Sequence, residues 1–286
     1  MRKIGIITND TKDVGFAATK AVAHFLCEQG CAPMLMPHVA DAIGRPEYAA
    51  NSVRAIYTET AFLIVLGGDG AMLNAAKNAA PHGVAMLGLN MGTLGYLTDV
   101  EKGADFAPVI RKALDGEATV ERRMMLEATL PANSEPHIAL NDVCVLCGVF
   151  TNLIALELYI NDEFIDCYRA DGFIVATPTG STAYNLSAGG PILKPDAEMI
   201  AVTPICPHML HARPLVVTAE DVVKITLRAG AEAIVMLDGQ RHSPFAQGDT
   251  VIVRRSQQYT GIIKTSGNRF FDVFRHKMVR GIVNPT

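Results

Sequence analysis

Residues 62–80 read FLIVLGGDGAMLNAAKNAA, and this stretch decides the fold prediction. Five apolar residues, 62–66, run directly into a turn of sequence GGDG at 67–70, and the residues after the turn are typical of a helix. A short, continuous apolar run is typical of a strand buried on both faces, as in a parallel sheet covered by helices. The stretch therefore predicts a buried strand, a glycine turn that carries one carboxylate, and a helix.

The rest of the first 116 residues repeats this alternation of strand and helix. Apolar runs predict strands at 3–8, 32–36 and 84–90, and helices are predicted at 13–29, 48–60, 71–80 and 105–115. The first of these helices is predicted from the spacing of Val14, Ala17, Ala21, Val22, Phe25 and Leu26. We therefore expect an α/β N-terminal domain with a parallel sheet over residues 1–116.

The pattern changes after Gly116. Short β-rich segments separated by turn residues are typical of antiparallel sheets. They lie at 122–131, 137–147, 152–160, 172–177, 215–218, 222–228, 232–237 and 250–255. We expect a β-rich, antiparallel, two-sheet C-terminal domain over 117–267, and an α+β protein overall. The amphipathic segment 268–278 predicts a helix, and 268–286 is expected to pack back on the first domain.

Composition excludes several classes of protein. The formal net charge is −4 without a basic block, which argues against a nucleic-acid partner. The six cysteines follow no disulfide-rich spacing, so a reducing cytoplasm is expected. The start, MRKIGIITND, is too short and too polar for a signal peptide, and no apolar run approaches the ~20 residues needed to cross a bilayer. We expect a soluble protein with no membrane partner.

The GGDG turn is the first candidate site. Gly67, Gly68 and Gly70 allow the backbone to approach a ligand, and the helix start offers free N–H groups to phosphate. Asp69 would repel phosphate unless it holds a cation carried by the phosphates or takes a proton from an attacking hydroxyl. The alternative is an aspartate that bonds the backbone of its own turn. A second glycine-spaced loop, NMGTLGYL at 90–97, follows the next strand and favours the functional interpretation.

Several other motifs are absent or structural. The chain contains no Gly-x4-Gly-Lys-Ser/Thr loop, and no Gly-x-Gly-x-x-Gly follows the first strand. Cys144 and Cys147 form a C-x-x-C in a strand-like run, which places them on opposite faces. His208 and His211 lie among prolines and are interpreted as a shaped loop. No metal ligand from the protein is predicted.

The second candidate site is the stretch RADGFIVATPTGSTAYNLSAGGPI at 169–192. Its crowded hydroxyl and amide groups carry little charge, which suits a ribose or the edge of an adenine. The alternative is a surface turn in which serine or threonine caps a helix at 181–188. Asn141 and Asp142 stand at the head of an apolar stretch, where an amide and a carboxylate can hold ribose hydroxyls or a base, although Asn-Asp is also an ordinary turn.

Together these motifs resemble the NAD kinase family, whose members use ATP or polyphosphate. The resemblance rests on GGDG at 67–70, NMGTLGYLTD at 90–99, LND at 140–142, DGFIVATPTGSTAYNLSAGGPI at 171–192 and PHMLHARPLV at 207–216. It covers nearly the whole chain, and the segment 171–192 is its most specific part.

The resemblance implies an α/β domain, a β-rich domain and a site between them. It implies transfer of the γ-phosphoryl group of ATP, or of another donor, to the 2′-hydroxyl of the adenosine ribose of NAD, with Mg²⁺ accompanying the nucleotide. By resemblance Asp69 is the base. The positions that it implies for NAD binding are Asp69, Gly70, Asn141, Asp142, Asn152, Arg169, Asp171, Thr182, Ala183, Tyr184, Ser187 and Gln240.

Two residues depart from the family pattern. Ala71 stands where members often have Thr or Asn, and Asp142 where many have Glu, which shortens the carboxylate arm. A lipid or sugar kinase of the same superfamily, and a non-catalytic NADP-binding sensor, are the alternative functions. The sequence leaves open the phosphoryl donor and the choice between NAD and NADH. A homodimer or homotetramer is expected from the resemblance. Lys77, Arg122 and Arg123 are possible phosphate partners that the sequence does not place.

Overall fold

The computed structural model describes residues 1–92, 95–100, 105–131, 133–148, 153–230, 232–265, 267 and 270–283. The chain forms two compact units. Unit 1 comprises Met1–Arg122 and Thr260–Thr286, and unit 2 comprises Arg123–Tyr259. Unit 1 is therefore built from two separate stretches of chain, with the whole of unit 2 inserted between them.

Unit 1 is an α/β layer structure. Its parallel strands are β1 (Arg2–Thr8), β2 (Cys31–Met34), β3 (Leu63–Gly67) and β4 (Met86–Asn90). They are ordered β2-β1-β3-β4, and Ile262 adds one further parallel pairing opposite Met86. The helices are α1 (Ala17–Glu28), α2 (Pro37–Ala42), α3 (Val53–Thr58), α4 (Asp69–Ala79), α5 (Ala107–Asp115) and α7 (Phe270–Val283).

The core of unit 1 forms because its central strands are apolar on both faces. Every residue of β3 and of β4 is buried. Helix α1 covers the sheet with Val22, Ala23 and Leu26. Two neighbouring parallel strands that are buried in this way bring their carboxyl ends to one edge of the sheet, where the GGDG turn and the second glycine loop begin.

The first helix begins later than its apolar spacing predicts. Residues Val14–Phe16 form a 3-10 turn in which Gly15 has φ +67°, and Val14 is 82% exposed. The buried Asp13 side chain accepts hydrogen bonds from the N–H groups of Ala18 and Thr19, both at 2.9 Å, and so fixes the helix start at residue 17. The placement of Val14 on the core face was wrong because this polar cap outweighs the contribution of one exposed valine.

Unit 2 is built almost entirely from antiparallel strands. They are β5 (Thr119–Leu130), β6 (Asn133–Ala139), β7 (Asp142–Cys147), β8 (Ile154–Ile160), β9 (Glu163–Ala170), β10 (Gly172–Ala176), β11 (Met199–Ile205), β12 (Leu215–Thr218), β13 (Val223–Ala229), β14 (Ala233–Leu237), β15 (Gln240–Phe245) and β16 (Thr250–Lys264). The unit boundaries fall inside β5 and β16. A one-turn helix, α6, covers Tyr184–Ser187.

Two sheets share the core of unit 2. One has the order β12-β11-β10-β7-β14-β15, and the other contains β16, β13, β8 and β9 in that order. Large buried side chains such as Phe173 and Phe245 fill the core. This architecture, with the parallel α/β unit 1, confirms the predicted fold class. No helix in the described ranges combines the length and apolar character needed to cross a bilayer.

Several segments differ from the sequence prediction. The predicted strand 137–147 is two strands, because the chain turns between Ala139 and Asp142. Helix α2 and the strands β9, β11 and β15 were not predicted. No side chain caps α6, whose N-cap is Ala183, so the predicted capping by serine or threonine was wrong. The Ser181 and Thr182 hydroxyl groups instead donate to the Pro178 and Thr179 carbonyls, at 2.6 and 3.2 Å.

Phe173 provides a test of the core of unit 2. Its ring is 1% exposed and meets the Tyr168 ring edge-to-face, with centroids 4.9 Å apart. Phe173→Ala is expected to lower the free energy of unfolding by ~3–5 kcal/mol, because it removes a buried ring and leaves a cavity. Phe164→Ala is the control, since Phe164 is 53% exposed, and should cost less than about 1 kcal/mol in urea unfolding. Equal losses would contradict this account of the core.

Candidate functional site

Asp69 is the first residue of α4 and follows Gly68, the N-cap. Its carboxylate accepts hydrogen bonds from the backbone N–H groups of Tyr96 and Leu97, each at 3.0 Å. These amides lie 27 and 28 residues further along the chain, so the aspartate does not bond the backbone of its own turn. The side chain is 31% exposed. The two bonds fix the plane of the carboxylate and leave lone pairs available to a ligand.

The glycines allow this approach. A Cβ atom on Gly95 would lie 2.0 Å from the Asp69 Oδ1 atom, so no side chain fits there while the carboxylate keeps its position. A Cβ atom on Gly67 would lie 2.4 Å from the Ala71 methyl group. The Met91 N–H also donates to the Gly67 carbonyl at 3.3 Å. The GGDG turn and the second glycine loop therefore form one hydrogen-bonded structure, as two loops at one sheet edge predict.

Helix α7 places the Lys277 side chain beside these two loops. The Lys277 ammonium lies 3.8 Å from the Asp69 Oδ2 atom and 4.5 Å from the centre of the Tyr96 ring. The Tyr96 ring also packs against Phe270, with centroids 5.9 Å apart. Lys277 thus faces a carboxylate and an aromatic ring, and it remains 34% exposed.

In unit 2 the chain turns at Leu140, Asn141 and Asp142, and the Asp238 carboxylate holds this turn. It accepts the N–H groups of Leu140 at 3.0 Å, Asn141 at 2.7 Å and Asp142 at 3.2 Å. Asp238 and Gly239 have φ values of +49° and +74° and form the two-residue turn between β14 and β15. An Asp-Gly pair is a favoured sequence for such a hairpin turn.

The turn after β10 packs against the same residues. The Thr177 hydroxyl donates to the Leu140 carbonyl at 2.6 Å and accepts the Gly180 N–H at 3.0 Å. A Cβ atom on Gly180 would lie 2.0 Å from the Asn141 carbonyl oxygen, so glycine is required there. The candidate segments 140–142 and 177–180 are therefore adjacent in unit 2.

Several polar groups of the 177–187 segment serve the fold rather than a ligand. The fully buried Asn185 amide donates to the carbonyls of Ser181 and Pro191 and accepts the Thr203 hydroxyl at 2.6 Å. The Ser181 hydroxyl accepts the Leu193 N–H at 3.0 Å. These bonds satisfy Asn185 and Ser181 within the fold, whereas the buried Thr179 hydroxyl has no hydrogen-bond partner among the described residues.

Thr182, Ala183, Tyr184 and Ser187 lie nearer the surface, although the Thr182 hydroxyl donates to the Thr179 carbonyl at 3.2 Å. The first two are half-buried, and Tyr184 and Ser187 are exposed. Burial raises the pKa of the Tyr184 hydroxyl, and the negative charges of Asp171 and Asp142 act in the same direction. Asp142 and Asp171 therefore act electrostatically on the Tyr184 hydroxyl within unit 2.

Asp142 is the most perturbed acid of this neighbourhood. It is 4% exposed, and its Oδ1 atom accepts the Cys144 thiol at 3.4 Å. Burial, with a smaller contribution from the charge of Asp238, raises the pKa of Asp142 from 3.8 to about 6. Burial also raises the pKa of the Cys144 thiol. The Asp142 side chain is thus directed at Cys144 inside unit 2.

Four of the other predicted residues are exposed, and a fifth lies outside the described residues. Arg169, Asp171 and Gln240 are exposed in unit 2, and Gly70 is exposed in unit 1. Asn152 lies outside the described residues. Within the described ranges, no three His, Cys, Asp or Glu side chains come together in a way that could hold a metal ion.

Residues 4–118 match the ATP-NAD kinase N-terminal domain, and residues 140–265 match the ATP-NAD kinase C-terminal domain. The NAD kinase of Caldanaerobacter subterraneus is 41% identical over 282 residues, which cover 97% of this chain and 99% of that protein. The chain belongs to the NAD kinase family. It is therefore a phosphotransferase. The NAD kinase of Symbiobacterium thermophilum is 40% identical over the same length, 97% of this chain and 99% of that protein.

Solved structures of NAD kinases share the fold. Yeast NADH kinase complexed with NADH superposes with a TM-score of 0.87 at 25% identity, covering 100% of this chain and 89% of that one. The NAD kinase from Archaeoglobus fulgidus in complex with ATP gives a TM-score of 0.76 at 24% identity, covering 97% of this chain and 98% of that one. Family membership favours an NAD kinase over the lipid kinase, sugar kinase and NADP-binding sensor alternatives.

Asp238 and Lys277, which contact the candidate site segments 140–142 and 67–70, were not predicted from the sequence. The Asp238-Gly239 pair between alternating apolar runs was a readable signal for a hairpin turn, but nothing in the sequence showed that its carboxylate would reach backbone 97 residues away. Lys277 lies in a segment that was predicted as an amphipathic helix without a polar role. Its position beside Asp69 depends on tertiary packing.

The pKa of Asp142 predicts a distinctive pH dependence of stability. The folded state binds this proton more tightly than the unfolded state, so wild-type stability should fall as pH rises from about 4 to 7. Asp142→Asn removes the titrating group and keeps an oxygen for the Cys144 thiol. The variant should therefore gain stability over wild type across this range, by up to ~3 kcal/mol. Urea unfolding at pH values from 4 to 8 measures the difference.

Asp221→Asn is the control of opposite sign. Hydrogen bonds from Thr218 and Asn161 lower the pKa of Asp221, so its contribution is present at neutral pH and is lost as pH falls through its folded pKa. That variant should be less stable than wild type at pH 7 and approach it in acid. A pH-independent difference for Asp142→Asn would contradict the assignment of a raised pKa.

Proposed function

We propose that this chain transfers the γ-phosphoryl group of ATP, or of another donor, to the 2′-hydroxyl of the adenosine ribose of NAD, forming NADP. The observation that carries the proposal is the orientation of Asp69. Its carboxylate is held by two backbone amides at the GGDG turn and stays partly exposed. A fixed carboxylate at a glycine turn suits a residue that must meet a hydroxyl and a phosphate together.

The proposed chemistry needs one proton acceptor. The ribose 2′-oxygen forms a bond to the γ-phosphorus while the bond from that phosphorus to the leaving oxygen of the donor breaks. The proton of the 2′-hydroxyl passes to Asp69. Phosphoryl transfer has a loose transition state, so positioning and charge neutralisation carry most of the rate enhancement. Asp69 therefore acts first by orienting the hydroxyl, and it accepts the proton late.

Backbone groups and Mg²⁺ complete the proposed donor site. Gly67, Gly68 and Gly70 precede or begin α4 and leave its first N–H groups accessible to phosphate. Mg²⁺ usually binds through one or two carboxylates together with substrate phosphates, so Asp69, with lone pairs not used by the amides, fits as its protein ligand. When bound, Mg²⁺ supplies positive charge to the transferring phosphoryl group.

Unit 2 supplies the proposed NAD-binding residues. Asn141 and Asp142 lie in the turn that Asp238 and Thr177 hold, and the charges of Asp142 and Asp171 act on Tyr184. Arg169, Thr182, Ala183, Ser187, Gln240 and Asn152 are proposed with them on the family resemblance. The residues 117–267 form the proposed NAD-binding domain, and 1–116 the domain that carries the GGDG turn.

The oligomeric state, the cellular location and the phosphoryl donor stay predictions. Homodimeric or homotetrameric assembly rests on the family resemblance. A cytoplasmic location is supported by the six cysteines, all of which are free thiols. The choice of donor among ATP, other triphosphates and polyphosphate requires a panel of donors and acceptors assayed on the purified protein.

Asp69→Asn tests the proposed base. The amide cannot accept the hydroxyl proton, so turnover should fall by ~10²–10⁴-fold, while NAD binding is retained. The assay combines ATP, Mg²⁺ and NAD, and a coupled NADPH readout reports the NADP formed. Asp10→Asn is the matched control, because Asp10 is an exposed partner of His38 in unit 1. Near-normal turnover of Asp69→Asn would show that the residue is not the base.

Gly95→Ala tests the orientation of the carboxylate without removing it. The new methyl group would collide with Oδ1 of Asp69, and a displacement of about 1 Å from the reacting geometry costs ~10²-fold in rate. Gly92→Ala is the control, since its Cβ atom would lie 3.8 Å from the nearest oxygen, on Asn90. Steady-state rates of the two variants measure this effect. Thermal unfolding checks that both variants fold. Equal rates would contradict the role of Gly95.

A further inference from the structure

A triphosphate brings several negative charges to a turn that already carries Asp69. P-loop enzymes meet this charge with a lysine of the loop, and this chain has no such loop. Of the cations that the sequence offered, Lys77 lies in the last turn of α4, whose first residue is Asp69. Arg122 is exposed in β5, and Arg123 is buried in the same strand. The structure places two other lysines at the turn, from opposite parts of the chain.

Lys277 approaches the turn from α7. At 3.8 Å from Asp69 its ammonium is close enough for electrostatic attraction but too far for a strong hydrogen bond. The Tyr96 ring beneath the ammonium supports it without using its hydrogen-bond donors. An ammonium group has three donors, so Lys277 can bind an oxyanion while it keeps both neighbours.

Lys12 approaches from the loop after β1. A Cβ atom on Gly68 would lie 3.3 Å from the Lys12 ammonium, so this group stands directly over the second glycine of the turn. The backbone beneath it is fixed, because the Asn9 N–H donates to the Leu66 carbonyl at 3.0 Å and the Lys12 N–H donates to the Asn9 carbonyl at 2.9 Å. The described residues supply no acceptor for the Lys12 ammonium group.

We propose that Lys12 and Lys277 together bind the phosphate groups of the donor at the 67–70 turn, an assignment that rests on the proposed function. Lys12 faces Gly68 and Lys277 faces Asp69, so the two ammonium groups flank the position at which α4 begins. Each provides a point charge and charge-assisted hydrogen bonds to oxyanions. Lys277 also offsets the charge of Asp69, which would otherwise repel the phosphoryl group.

The test measures phosphate binding apart from catalysis. Inorganic tripolyphosphate is titrated into the full chain by calorimetry, at fixed ionic strength, for wild type, Lys12→Met, Lys277→Met and Lys277→Arg. Loss of one charge-assisted contact should weaken binding by about tenfold or more for each methionine variant. Lys277→Arg keeps the charge and should stay within about threefold of wild type. Methionine keeps the apolar stem over Tyr96, and thermal unfolding checks that the variants fold.

Arg275→Met is the matched control. Arg275 lies on the same helix and pairs with Asp272 at 2.6 Å, and it carries the same charge as Lys277. Its loss should leave tripolyphosphate binding within about twofold of wild type. Wild-type binding by both methionine variants would overturn the proposal, and so would an equal loss in Arg275→Met, because net charge alone would then explain the effect.

The NADP assay on the same proteins separates the two proposals. If wild type forms no NADP but its tripolyphosphate binding depends on both lysines, the proposed function fails and the phosphate assignment stands. If wild type forms NADP and the methionine variants match it in both binding and the KM for ATP, the function stands and the lysine assignment fails.

Discussion

The hydrogen bonds from two backbone amides to the Asp69 carboxylate are the constraint on which the unit 1 site depends. They join the turn after β3 to the loop after β4, and they require the absence of a side chain at Gly95. A carboxylate bound in this way has little rotational freedom, so little entropy remains to be lost when a reacting hydroxyl arrives. The burial of β3 and β4 in turn fixes the strand ends from which the two loops start.

In unit 2 a different carboxylate, that of Asp238, holds a backbone turn by accepting its N–H groups. Asp238 sits in a left-handed turn and satisfies three consecutive N–H groups of the 140–142 segment. Without it these donors would lie partly buried and unpaired, at a cost of ~1–3 kcal/mol for each that became fully buried. The Thr177 hydroxyl satisfies the Leu140 carbonyl from the other side. A buried carboxylate, Asp142, is tolerated beside this network because it can hold a proton close to neutral pH.

The sequence predicted the elements and motifs better than the contacts between them. Apolar runs and turn residues predicted the parallel sheet and most strands of unit 2, because burial on both faces leaves a continuous apolar run and burial on one face leaves an alternating pattern. The local cap at Asp13 and the buried hydroxyl bonds of Ser181 changed the boundaries, since polar groups that bond the backbone override apolar spacing. The partners of Asp69 and Asn141 are distant in sequence, and no local pattern specifies which glycine loop or which hairpin turn will reach them.

The division of unit 1 into two stretches of chain has a consequence for biosynthesis. A ribosome completes the strands of unit 2 before it translates α7, so the first 122 residues emerge without the segment that closes their domain. Domains generally fold in order as they emerge, but here unit 1 gains its last helix only after all of unit 2 has been made. During that interval the carboxylate of Asp69 lacks the ammonium group that Lys277 later places beside it.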